Sequence, residues 1–117
     1  MSDIEIQDDR EQGLLLARAG GAGGEIVGYI QYFVLEEPER ALVPVHTIVE
    51  PAHEGKGIAG SLARELYATA ARETLAVAPL CSFVVEWAER HPGEAPAAPA
   101  GLLEAAKAAL AADPGKW

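Results

Sequence analysis

The sequence predicts an α+β fold with one main domain, and three observations support this. The segment up to Glu50 consists of short β-type runs separated by turn residues. Between Gly57 and Glu73 apolar residues recur about every four positions, as on one face of a helix. A short apolar strand, Leu75–Leu80, and a second helix, Ser82–Arg90, follow. The order β-β-β-β-α-β-α predicts helices packed on a mostly antiparallel sheet.

Composition narrows the class of protein. The chain has 117 residues, and 50% of them are hydrophobic, which is enough for a core. Its net charge of -9 argues against nucleic-acid binding, and its single Cys argues against a disulfide framework or a cysteine-built zinc site. The N-terminus resembles no signal peptide, and no apolar run approaches the roughly 20 residues that span a bilayer. We expect a cytoplasmic protein without a metal or a membrane partner.

Four strands are predicted before the first helix, with a turn at Asp8–Arg10. They cover Ile4–Ile6, Gly13–Ala17, Glu25–Leu35 and Ala41–Val49. The glycine-rich run 20–24 suits a hairpin loop, and a phosphate-binding role is disfavoured because no helix follows it. Pro44 cannot donate to a strand ladder, so the fourth strand is expected to be an edge strand, bulged or splayed there.

The composition shifts at Glu94 to a Pro/Ala-rich linker. We therefore divide the chain into a domain of residues 1–95 and an extension of residues 96–117. Within the extension, Gly101–Ala112 predicts an amphipathic helix. Three arrangements remain open for it: packing on the body, packing on a partner subunit in a homodimer, or a solvated tail. Ser82 is the expected N-cap of the preceding helix.

The junction between the fourth strand and the first helix is the most informative segment. Gly55 and Gly57 remove side chains where the helix begins, so that backbone N–H groups there can approach an anion. The first turn of a helix carries about four unpaired donors and a partial positive charge, which together suit a diphosphate. Lys56 adds a positive charge, and Ser61 could donate a hydroxyl. The alternative is a glycine-softened turn without a ligand.

Neither common nucleotide motif fits this junction. The dinucleotide fingerprint requires a third glycine and a βαβ unit, whereas the strands before the junction are predicted to be antiparallel. The Walker A pattern requires Ser or Thr after its Lys, and here Gly57 follows Lys56.

The run HTIVEPAHEGKGIAGSL resembles the coenzyme-A loop of the GNAT N-acetyltransferases, whose pattern is Arg/Gln-x-x-Gly-x-Gly/Ala. Gly57-Ile58-Ala59 matches the second half of this pattern. Three other motifs occur in the same order as in the minimal, single-domain GNAT-like family. They are His46-Thr47, Pro79-x-Cys81-x-Phe83 and Arg90-His91-Pro92. The resemblance covers about residues 3 to 95 and leaves out the extension.

This resemblance implies a GNAT-like sheet that splays beside the fourth strand and binds acetyl-CoA as cosubstrate. The implied activity is transfer of acetyl to an unidentified primary amine, on a small molecule or a peptide. The alternative is a non-catalytic module of the same fold that binds coenzyme A or another protein. The residues expected to bind the coenzyme are Ile48, Val49, Glu54, Gly55, Lys56, Gly57, Ile58, Ala59, Gly60 and Ser61. Glu54 departs from the family's Arg or Gln, and its carboxylate is expected to weaken anion binding.

Two side chains are candidates for catalysis. His46 lies on the fourth strand, and histidine titrates near neutral pH, which suits a general base. It could equally be a strand histidine bonded to a neighbour. Cys81 precedes a helix, where the dipole favours a thiolate. It could be a buried small hydrophobe, a proton donor to the leaving thiolate, or an acyl-carrying nucleophile. The acidic composition favours cationic amines as acceptors.

Overall fold

The first four strands form an antiparallel meander, and a short fifth strand joins the fourth in parallel. A computed structural model describes residues 4–20 and 23–112. Its elements, in chain order, are β1 Ile4–Asp9, β2 Leu14–Ala19, β3 Glu25–Leu35, β4 Ala41–Val49, α1 Ile58–Arg72, β5 Ala76–Val77, α2 Ser82–Arg90 and α3 Leu102–Ala112. A single 3-10 turn, Pro51–His53, connects β4 to α1. This order confirms the predicted α+β fold.

The predicted bounds of β3, β4 and α2 coincide with the structure, whereas those of β1, β2, α1, β5 and α3 differ from it. β1 continues through the predicted turn because Asp8 and Asp9 pair with β2. Cys81, not Ser82, is the N-cap of α2. β5 is shorter than predicted: its paired residues end at Val77, although the N–H groups of Ala78 and Leu80 still bond to carbonyls of β4. Of the predicted hairpin loop at 20–24, Gly21 and Ala22 lie outside the described residues.

Pro44 lies at the point where the sheet opens. Gln31 of β3 pairs with His46 and Tyr32 pairs with Pro44, so Val45 is an extra residue that forms a bulge in β4. The Pro44 carbonyl accepts hydrogen bonds from the N–H groups of both Leu80 and Cys81, each at 3.1 Å. Pairing between β4 and β5 is confined to the start of β4, at Ala41 and Leu42. The predicted bulge and splay at Pro44 are therefore confirmed.

Two apolar layers cover the two faces of the sheet. On one face, α1 and α2 bury a core that includes Leu62 and Leu66 of α1 and Trp87 of α2. On the opposite face, α3 packs through Leu102 and Ala106, which are almost fully buried. The C-terminal helix thus lies on the body of its own chain. No helix in the described ranges combines the length and apolar character needed to cross a membrane.

Arg10, in the turn after β1, fixes the C-terminal end of α1 to the sheet. Its guanidinium contacts the Glu73 carboxylate at 2.8 Å and donates to the Tyr32 hydroxyl at 2.9 Å. The Tyr32 hydroxyl in turn donates to Asp8. Hydrogen bonding to Arg10 lowers the pKa of Glu73, whereas burial raises the pKa of Tyr32. The position of α1 on the sheet, and hence of its N-terminus, depends in part on this cluster.

The turn between β1 and β2 provides a stability test. A Cβ on Gly13 would lie 2.2 Å from the carbonyl oxygen of Tyr32, and Gly13 has a φ of +69°. We expect Gly13→Ala to lower the free energy of unfolding by about 3 kcal/mol, measured by urea denaturation. The matched control is Gly23→Ala, at a φ of +84° but with no described atom within 4 Å apart from its chain neighbours. The control should lose about 1 kcal/mol. Equal losses would contradict the steric argument.

Candidate functional site

A cavity of about 550 Å³ lies between the C-terminal half of β4, the loop before α1, and one face of α2. It occupies the opening of the sheet beyond Pro44, where β4 is no longer paired with β5. Its lining residues are Thr47, Val49, His53, Glu54, Gly55, Gly57, Ile58, Ala59, Gly60, Phe83, Trp87, Arg90 and His91. Strand, loop and helix therefore each contribute one wall.

The loop wall presents main-chain donors. α1 begins after Gly57, which has a φ of 79° and provides no side-chain cap. The N–H of Ser61 bonds to the Gly57 carbonyl at 3.0 Å, as expected for the first closed turn. In the described part of the chain, no group accepts a hydrogen bond from the N–H groups of residues 57–60. These are the donors that a helix leaves unpaired at its start, and here they lie beside the cavity.

The strand wall is set by the ladder between β3 and β4. The N–H of Glu50 donates to the Val27 carbonyl at 2.8 Å. Because bonding alternates along an antiparallel pair, the main-chain groups of Val49 and Thr47 point away from β3, towards the open edge of β4. The side chains of Thr47 and Val49 also line the cavity.

The helix wall is aromatic. Phe83, Trp87 and His91 recur at intervals of four, which places them on one face of α2 and its end. The Trp87 and His91 rings stack with centroids 4.2 Å apart. The Nδ1 of His91 lies 2.8 Å from the Trp87 carbonyl oxygen, to which it donates because a carbonyl can only accept. A Cβ added to Gly60 would lie 3.6 Å from the Trp87 indole nitrogen, so α1 and α2 approach closely here.

Neighbouring residues hold Trp87 in place. The Tyr67 ring stacks on it with centroids 5.9 Å apart, and burial raises the pKa of Tyr67 to about 12. The Arg64 guanidinium lies 5.5 Å from the centre of the Trp87 ring and pairs with Glu94 at 2.7 Å. This ion pair joins α1 to the turn after α2, and so keeps the aromatic wall against the start of α1.

His53 carries an unusual polar atom. Its Nδ1 is buried and has no hydrogen-bond partner among the described residues, although His53 itself is only half-buried and lines the cavity. Buried polar atoms are nearly always paired, so such an atom is a candidate contact for a bound molecule or an ordered water.

Seven of the twelve residues predicted for the site line the cavity. They are Val49, Glu54, Gly55, Gly57, Ile58, Ala59 and Gly60. Ile48, Lys56 and Ser61 are exposed and do not line it. Sequence reasoning missed Thr47, His53 and the α2 face. Two sequence patterns could have identified some of them. Thr47 and Val49 are two residues apart on β4 and so share a face, and the spacing of four between Phe83 and Trp87 places both on one face of a helix.

The two predicted catalytic side chains do not line the cavity. His46 precedes Thr47 on β4, so strand alternation directs its side chain to the opposite face of the sheet, where it is exposed. Cys81 is buried, with 7% of its surface exposed, but its sulfur lies 3.1 Å from the Thr47 hydroxyl oxygen. Cys81 therefore contacts the cavity-lining residue Thr47 without itself lining the cavity. Over the described ranges, no three His, Cys, Asp or Glu side chains are grouped so that they could hold a metal ion.

Comparison with solved structures gave acetyltransferases. A ribosomal-protein-alanine N-acetyltransferase from Brucella melitensis biovar Abortus 2308 is 28% identical, with a TM-score of 0.54, and the match covers 74% of this chain. This chain spans 62% of that protein's length. An aminoglycoside acetyltransferase from an uncultured soil metagenomic sample is 24% identical, with a TM-score of 0.45, over 58% of this chain and 45% of that one.

Comparison with curated protein sequences gave no significant match. The sequence model of one family, described as GCN5-related N-acetyl-transferase, matches residues 17–97. The match includes β3, β4, α1 and α2, and thus every wall of the cavity. The chain therefore belongs to the GCN5-related N-acetyltransferase (GNAT) family.

Proposed function

We propose that this protein transfers an acetyl group from acetyl-CoA to a primary amine on a small molecule or a peptide. One observation carries the proposal: in this GNAT chain the N–H groups of residues 57–60 lie beside a cavity and have no hydrogen-bond partner among the described residues. The similarity to a ribosomal-protein-alanine N-acetyltransferase supports an amine acceptor. A volume of about 550 Å³ is within the usual range for small-molecule and cofactor sites.

The two charged phosphates of the coenzyme would bind at the start of α1. There the N–H groups of residues 57–60 and the positive end of the helix dipole would stabilise the negative charge of a diphosphate. The acyl-carrying arm would follow the open edge of β4 towards Pro44. Main-chain groups of Val49 and Thr47 point to that edge and could bond to the arm's amides as an added strand would.

In the proposed reaction the amine nitrogen attacks the thioester carbonyl carbon. The carbonyl oxygen becomes an oxyanion that N–H donors at the edge of β4 can stabilise. The carbon–sulfur bond then breaks, the sulfur leaves with the electron pair, and the proton lost by the amine balances the charge. His46 remains the proposed base for an amine that approaches from the opposite face of β4.

A second candidate function, a non-catalytic module that binds coenzyme A or another protein, is favoured by one observation. Neither His46 nor Cys81, the side chains proposed for catalysis, lines the cavity. Such a module would bind the coenzyme through the same main-chain donors without turning it over.

Two measurements separate these functions. Isothermal titration of the protein with acetyl-CoA should give a saturable heat, because the donors at residues 57–60 have no partner in the described chain. Release of free thiol from acetyl-CoA should then accelerate when polyamines or peptides with free N-termini are added. Binding without amine-dependent release across the panel would support the non-catalytic module. No heat at millimolar acetyl-CoA would contradict both the transferase and a module that binds coenzyme A, and would leave only a module that binds another protein.

A carboxylate introduced by substitution in the first turn of α1 should weaken binding of acetyl-CoA without lowering the stability of the fold. Ala59 lines the cavity, and an Asp there would repel the diphosphate but interact favourably with the helix dipole. We expect Ala59→Asp to weaken acetyl-CoA binding at least about tenfold while the unfolding free energy changes by under about 1 kcal/mol.

The control for this substitution is Ser61→Asp, in the same helical turn but exposed and outside the cavity lining. It should weaken acetyl-CoA binding less than about threefold. Equal losses of affinity in the two variants, measured by titration calorimetry, would place the coenzyme elsewhere.

Glu54 should limit the affinity for the coenzyme, because this residue lines the cavity and its carboxylate carries a negative charge close to the start of α1. We expect Glu54→Gln to bind acetyl-CoA about three- to tenfold more tightly. Glu104→Gln makes the same change in net charge from an exposed position on α3, and should alter affinity less than about twofold. An unchanged affinity in Glu54→Gln would mean that the carboxylate points away from the coenzyme.

A further inference from the structure

Thr47 lies at the inner end of the cavity. Beyond it, the Pro44 carbonyl is bonded to the N–H groups of Leu80 and Cys81, and these bonds close the gap between β4 and the start of α2. An arm that enters from the start of α1 and follows β4 therefore ends at Thr47. If the coenzyme binds as proposed above, its sulfur comes to rest near this residue.

The Thr47 hydroxyl has a defined partner. Its oxygen lies 3.1 Å from the sulfur of Cys81, which is buried behind it as the N-cap of α2. A hydroxyl can accept one hydrogen bond while donating another, whereas sulfur is a weak acceptor. Either atom can donate in this contact. When the Cys81 thiol donates to Thr47, the proton of the Thr47 hydroxyl is free to point into the cavity that Thr47 lines.

We propose that the Thr47 hydroxyl donates a hydrogen bond to the coenzyme sulfur as it leaves, and that Cys81 is a positioning residue that orients this hydroxyl. The inference rests on the proposed function and assigns a role to the buried cysteine without requiring it to reach the substrate. It also makes a covalent acyl-cysteine unnecessary, since the Cys81 sulfur does not line the cavity.

The charges balance without a proton leaving either side chain. The carbon–nitrogen bond forms as the carbon–sulfur bond breaks, and the electron pair of the broken bond stays on sulfur. Thr47 stabilises the resulting thiolate by hydrogen bonding and keeps its own proton. The thiolate finally takes up the proton that the amine has released, so that amine and thioester give amide and thiol.

The thiol of bound coenzyme A reports on this hydrogen bond without any acceptor amine. Cys81 is the single cysteine of the chain, so in Cys81→Ser and Cys81→Ala the coenzyme carries the only thiol in the complex. The pKa of that thiol can be measured by its ultraviolet thiolate absorbance during a pH titration at saturating coenzyme. Each variant is titrated with and without Thr47→Val, which removes the hydroxyl but keeps the shape of the side chain.

In Cys81→Ser, which keeps a donor behind Thr47, we expect the pKa of the bound thiol to lie about one unit below that of free coenzyme A. In Cys81→Ala the reduction should be smaller, because the hydroxyl is no longer oriented. Adding Thr47→Val should abolish the reduction in both backgrounds, whereas Thr47→Ser should preserve it. In the otherwise native chain, Thr47→Val should lower kcat about tenfold or more with little change in the KM for acetyl-CoA.

A thiol pKa that does not respond to Thr47→Val would overturn the inference while leaving the proposed function intact. Equal pKa values in Cys81→Ser and Cys81→Ala would remove the positioning role of Cys81. Failure of the folded variants and of the native chain to bind coenzyme A would instead contradict the proposed function itself. Circular dichroism of each variant distinguishes that result from loss of the fold.

Discussion

The site depends on one constraint, the absence of an N–H group on Pro44. The missing donor lies on the side of β4 that faces Leu80 and Cys81, because the Pro44 carbonyl points there, and the adjacent Val45 forms a bulge against β3. The Pro44 carbonyl, by contrast, accepts two hydrogen bonds from the chain that leads into α2. Pairing with β5 ends at Leu42, and the chain that leads into α2 is anchored two residues later, at Pro44. The cavity is the space that these two consequences leave between them.

The second requirement is that the start of α1 faces this space with its donors unpaired. The glycine at the N-cap supplies a left-handed φ and no capping side chain, and the donors of residues 57–60 have no partner within residues 4–20 and 23–112. At the other end of the helix, Arg10 pairs with Glu73 and bonds to Tyr32 of the sheet. The packing of Gly60 against Trp87 then fixes the distance between α1 and α2. Because contacts fix both ends of α1, the helix keeps its orientation although the N–H groups at its start have no partner among the described residues.

Much of the fold and the position of the opening in the sheet could be predicted from sequence, because the residues that determine them act within their own segments. The strand propensities of β3 and the proline in β4 each act on their own segment, and the predicted strand bounds and bulge were confirmed. The glycines before α1 also act locally, and the anion site that they predict stays a prediction. The strand alternation around His46 could not be predicted in the same way. A bulge shifts the register by one residue, so the face on which His46 or Thr47 lies depends on where Val45 is accommodated against β3.

The wall formed by α2 required information that is not local either. The spacing of Phe83 and Trp87 predicts that they share a helix face, but not which element that face meets. Only the packing of Trp87 against Gly60 and Arg64, on a helix distant in sequence, places this face in the cavity. Similarly, Asp8 and Asp9 are typical turn residues, yet pairing with β2 extends the strand through them.

Reliance on main-chain donors also explains how an acidic residue can stand beside an anion site. Where side chains provide the positive charge, replacing Arg or Gln by Glu54 would reverse the electrostatics of the site. Here the N–H groups of residues 57–60 and the helix dipole are properties of the backbone, so they persist whichever side chain occupies position 54. In the proposed site the Glu54 carboxylate would then adjust the strength of diphosphate binding and leave its geometry unchanged. A chain with a net charge of -9 can in this way keep the proposed diphosphate site, while its acidic composition favours the cationic amines proposed as acceptors.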